Sequence, residues 1–121
     1  MSFLFSILIF PSSNNLSKLN KIEVIFYKGK KSLTYSTADK NIVDAFKDLI
    51  VKSKNSPTVI CDTTGEIIYL NKNKTLLKVY FSTYAIKSKY RSSSIRYNNI
   101  SSFMTYSAGM DLDEIFYNLN K

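Results

Sequence analysis

Apolar and polar positions alternate from residue 22 onward. In Ile22 to Tyr27 (IEVIFY), Ile22, Val24 and Phe26 fall on one face and Glu23, Ile25 and Tyr27 on the other. A period of two in β-branched and aromatic residues predicts a strand. Lys28-Gly29-Lys30-Lys31 supplies a glycine turn, and Ser32 to Ser36 (SLTYS) returns as the second arm of a hairpin. The period then changes. Ile42, Ala45, Phe46, Leu49 and Ile50 recur at helical spacing and predict an amphipathic helix packed on the sheet. Ser36 or Thr37 is placed to cap it, Asp39 suits its first turn, Lys52 and Lys54 suit its negative end, and Asn55-Ser56-Pro57 stops it.

Beyond the proline, Thr58 to Cys61 (TVIC) reads as a short apolar strand and Asp62-Thr63-Thr64-Gly65 as a turn. Glu66 to Leu70 (EIIYL) reads as the next strand, and Asn71-Lys72-Asn73-Lys74 turns the chain into Thr75 to Thr83. There Leu77, Val79 and Phe81 share one face, with Leu76, Lys78 and Tyr80 opposite. Connections this short favour an antiparallel meander, because parallel neighbours need long crossovers. Tyr84 to Ser94 reads as a loop or exposed ribbon, and Ile95 to Tyr97 with Ile100 to Tyr106 as a last hairpin around Asn98-Asn99. Leu112, Ile115, Phe116 and Leu119 keep helical spacing, and Asp111, Asp113 and Glu114 mark the first turn of a helix over Asp111 to Asn120. The expectation is an α+β fold: an antiparallel sheet of five to six strands in ββαββββα order with helices packed on one face.

The first ten residues, MSFLFSILIF, form an unbroken apolar and serine run closed by Pro11. Its length matches a signal-peptide core and falls short of the roughly 20 apolar residues a spanning helix needs. Residues 1–17 are therefore read as a leader or anchoring segment with a short linker, touching a membrane only through residues 1–10. Residues 18–121 are read as one α+β domain. An extracytoplasmic location, periplasmic or secreted, follows. The competing reading is a buried N-terminal strand, and the absence of alternation counts against it.

Composition narrows the chemistry. The chain has 121 residues, 17 Lys and Arg against 9 Asp and Glu, a net charge of +8, and no histidine. That balance favours anionic partners, although codon bias toward Lys, Asn, Ile and Tyr produces the same skew. Absence of histidine excludes Ser-His-Asp and Cys-His catalysis, and Cys61, the one cysteine, reads as a buried strand residue. Metal ligands are too few, and the acidic group 111–114 has helix-start spacing. No glycine-rich phosphate loop occurs, so no cofactor is expected. Asn15-Leu16-Ser17, Asn73-Lys74-Thr75 and Asn99-Ile100-Ser101 match the glycosylation tripeptide, a pattern common by chance in so Asn- and Ser-rich a chain.

Val59 to Gly65, an apolar strand delivering Asp62-Thr63-Thr64-Gly65, resembles the phosphoaspartyl loop of haloacid-dehalogenase-type enzymes and P-type pumps, and more loosely the Asp-Thr-Gly of aspartic proteases. Glu66 stands where the first family has threonine, and the second lacks the inserted threonine. The stretch is read as a hairpin turn, and the chain as no enzyme.

What remains is a surface. Lys87, Lys89 and Arg91 alternate with Ser88 and Tyr90, so an extended ribbon projects the three cations together, with Arg96 adding to their field. Tyr80 lies on the polar face of its strand. The functional expectation is a non-catalytic binding or inhibitory module recognising a protein partner through a Tyr- and Lys-rich sheet face and loops, with Tyr80, Lys87, Lys89, Tyr90, Arg91 and Arg96 as contacts. The alternative is polyanion binding, to nucleic acid or an anionic envelope polymer, through the basic 87–96 segment.

Overall fold

The computed structural model describes residues 16–51, 63–83, 94–97, 100–103 and 106–119. Strand β1 is Lys21–Lys28, β2 Lys31–Thr37, β3 Gly65–Asn71, β4 Lys74–Ser82, β5 Ser94–Tyr97 and β6 Ile100–Phe103; helix α1 is Lys40–Val51 and α2 Tyr106–Leu119. The chain order is thus ββαββββα, as the periodicities predict. The six strands form one sheet in the order β2-β1-β3-β4-β5-β6, and every neighbouring pair is antiparallel.

Register follows from burying one face. Val24 lies opposite Ile67, and Ile67 opposite Val79; Ile22 lies opposite Tyr69, and Tyr69 opposite Leu77. All six are buried. A slip of one residue would turn this set to the other face, so core burial pins the pairing. Both helices cover that same face. Tyr69 reaches α1 with its hydroxyl, and Phe116 of α2 meets Phe26 at 5.4 Å between ring centroids. Leu16 is fully buried in this core, so the packed body extends at least two residues upstream of the expected start at Lys18. Residues 1–15 lie outside the described residues.

Two glycines act by different means. Gly29 takes φ +60° at the first of the two positions between β1 and β2, the place a type II′ hairpin turn reserves for glycine. Gly65 was expected in a turn; it is instead the buried first residue of β3, facing Phe26 on one side and Phe81 on the other. An added Cβ would strike the Phe81 ring and the Ile25 carbonyl. Its missing side chain lets Phe26 and Phe81 meet edge to face at 5.4 Å.

The helices correct three expectations. The cap of α1 is Asp39, not Ser36 or Thr37: its Oδ1 accepts from the amides of Asn41 (2.9 Å) and Ile42 (3.4 Å), while Thr37 Oγ1 accepts from the Asp39 amide. The buried stripe of α1 centres on Val43, Phe46, Leu49 and Ile50, leaving Ile42 half-buried and Ala45 exposed. Helix α2 begins at Tyr106, five residues before the acidic group taken as its start. Buried Gly109 and half-buried Ala108 bring that first stretch against the core, and packing outweighs the weak dipole preference. Thr58 to Asp62, Lys52, Lys54 and Asn98-Asn99 lie outside the described residues.

Candidate partner-binding face

Alternation sends a second set of side chains to the face away from the helices. The ladder aligns Ile25, Glu66, Tyr80, Arg96 and Ser101 as one row across β1, β3, β4, β5 and β6. Neighbours within a row stand roughly 5 Å apart, close enough for long side chains to touch. Along β4, Lys78 precedes Tyr80 on the same face.

Glu66 organises this row. One of its carboxylate oxygens accepts a 3.0 Å hydrogen bond from the Tyr27 hydroxyl and lies 3.2 Å from Lys78 Nζ. The Glu66 side chain is only 13% exposed against 45% for Lys78, so the carboxylate depends on these partners for its solvation. The same contacts shift the ionisation of both partners. Desolvation, reinforced by the Glu66 hydrogen bond, pushes the Tyr27 phenol up to about 12. The hydrogen bond and charge of Glu66 raise Lys78 above the usual lysine value.

Two cations lie against the Tyr80 ring. The Arg96 guanidinium carbon sits 4.8 Å from its ring centroid and Lys78 Nζ 5.6 Å, within the range of cation–π attraction, which at partly exposed sites contributes about 0.5–1 kcal/mol. Tyr80 and Arg96 are both half-buried. An aromatic face, a guanidinium and a paired carboxylate side by side are groups that recognise planar and charged partners.

Of the six expected contacts, the structure brings together Tyr80 and Arg96; Lys87, Lys89, Tyr90 and Arg91 lie outside the described residues. Tyr27, Glu66 and Lys78 complete the cluster. Alternation alone had placed Tyr27 and Lys78 on polar faces, but their meeting at Glu66 requires the register of three strands. Among the described residues no three His, Cys, Asp or Glu side chains gather to hold a metal ion, and no helix is long and apolar enough to cross a membrane. Comparison with protein families, curated proteins and solved structures finds no match to this chain.

Proposed function

We propose that this protein is a non-catalytic, extracytoplasmic binding or inhibitory module that recognises a protein partner through the helix-free sheet face centred on Tyr80. The observation that carries the reading is Tyr80 with Lys78 and Arg96 both against its ring and the Glu66 carboxylate in the same row. Tyr and Arg are the residues that protein interfaces concentrate at their energetic centres. The carboxylate weighs against a polyanion on this face; the basic 87–96 segment named for that alternative lies, apart from residues 94–96, outside the described residues. Glu66 already engages Lys78, and an anionic polymer on this face would meet a negative group in the middle of its contact. The apolar leader-like run at residues 1–10 supports the location.

The test is capture of a partner from an extracytoplasmic extract by the immobilised protein, with Tyr80→Ala and Arg96→Ala in parallel. Retention is expected to drop at least tenfold in both variants while their melting curves stay near that of the parent. Equal retention removes the face from consideration. Titration with heparin or single-stranded DNA decides the alternative: affinity collapsing between about 50 and 200 mM salt, and weakening with Arg96→Ala, would assign the face to polyanions instead.

A further inference from the structure

The helical side of the molecule carries a second feature, independent of the sheet face. Helices α1 and α2 both pack on the sheet but leave a groove of about 540 Å³ between them, which reaches Tyr35 on edge strand β2. This volume falls within the roughly 300–1,000 Å³ of small-molecule sites. The groove exists because each apolar stripe is wider than the surface the sheet covers. On α1, Ile42 and Ala45 flank the buried Phe46; on α2, Ile115 and Leu119 flank the buried Phe116. These flanks form an apolar lining.

The rim differs in sign from the rest of the chain. Asp111 and Glu114, one helical turn apart on α2, both line the groove, and no Lys or Arg lines it among the described residues. In a chain of net charge +8, this is a locally acidic recess. Its position follows from the early start of α2, which moves both carboxylates from the helix tip to mid-helix, where the groove-lining part of α2 begins. We propose that the groove binds a small organic cation with an apolar body, an amine whose hydrocarbon part lies along Ile42, Ala45 and Ile115 and whose charged head meets Asp111 and Glu114. Charge complementarity selects this occupant: an acid of the same shape would be repelled at the rim.

The net charge makes the test discriminating, because non-specific attraction to a basic protein favours anions. Octylammonium, octanoate and octanol are titrated calorimetrically into the full chain, with amide chemical shifts followed by NMR. Octylammonium is expected to bind at one site, about tenfold more tightly than octanol, the equivalent of one well-placed charge interaction of about 1.4 kcal/mol. Shifts should concentrate at Ala45, Ile115 and Leu119. The pair Asp111→Asn and Glu114→Gln should lower octylammonium to the octanol level, and Ala45→Phe should weaken both ligands by filling the groove. Octanoate binding as tightly as octylammonium, an unchanged affinity in the neutralised pair, or shifts scattered over the surface would each overturn the proposal. Shift mapping on the parent protein decides the matter even where Ala45→Phe fails to fold. Tyr80→Ala leaves this binding unchanged, which keeps it distinct from the sheet-face reading.

Discussion

The hydroxyl of Tyr69, fully buried in β3, donates a 2.8 Å hydrogen bond to the main-chain carbonyl of Phe46 in the middle of α1. It is a polar tie from sheet to helix through an otherwise apolar core. The Phe46 carbonyl also has the helix's own i+4 amide as a donor, so removing the hydroxyl strands no acceptor. Tyr69→Phe is therefore expected to lower stability by about 0.5–1.5 kcal/mol, the net value of one hydrogen bond, rather than to unfold the protein. Urea denaturation of the two proteins measures it. No change would mean the bond contributes nothing.

Alkaline pH should act through the same residue. Burial pushes the Tyr69 phenol far above the normal tyrosine value, and Tyr27 is pushed up to about 12. An unfolded tyrosine ionises near pH 10. Below that pH both states are neutral and the contribution is fully present; above it the unfolded chain loses protons that the folded chain keeps, so stability falls as pH rises. From Tyr69 the expected slope is about 1.4 kcal/mol per pH unit. Between pH 9 and pH 11 stability should drop by about 1.4 kcal/mol more in the parent than in Tyr69→Phe. Equal drops would contradict a neutral buried phenol.

Gly65→Ala tests the close approach at the head of β3. The new Cβ meets a ring and a main-chain carbonyl, and a carbonyl in a central ladder has little freedom to retreat. A loss of about 3 kcal/mol is expected, at the upper end for overpacking. Thermal melting reads it; a shift of less than about 3 °C would show that β1 and β3 can separate locally.

The turn between β3 and β4 invites the opposite change. Lys72 takes φ +56°, held by Asn20, whose Oδ1 accepts from the Lys72 main-chain amide at 2.9 Å while the Asn20 main-chain amide donates to the Leu70 carbonyl at 3.0 Å. A non-glycine residue there carries a strain of about 1 kcal/mol. Lys72→Gly should raise stability in urea denaturation by about 0.5 kcal/mol, because relief of about 1 kcal/mol of strain exceeds the roughly 0.5 kcal/mol of added freedom in the unfolded chain. A fall in stability would show that Asn20 compensates the strain fully.

The strands of the central sheet are legible in the sequence, because Ile22, Val24 and Phe26, or Leu77, Val79 and Phe81, repeat with the period of a half-buried strand. Helix α1 was legible for the same reason, though its buried stripe is turned from Ala45 toward Val43. The start of α2 departs from its local signal. Asp111, Asp113 and Glu114 carry a genuine helix-start signal, yet Ala108 and Gly109 are drawn into the helix by contact with a core that no local window contains. Gly65 has the composition of a turn and the role of a spacer, a difference set by Phe26 and Phe81 from two other strands.

What the sequence determined by itself is the order of the elements and the buried faces of the central strands, since periodicity is a local property and burial follows it. Register, the Glu66 junction of Tyr27 and Lys78, the cations beside Tyr80 and the acidic groove between the helices were decided only by tertiary structure. Each joins residues far apart in the chain, and such pairings acquire an energy only when the antiparallel order and the helix packing bring them within a few ångströms.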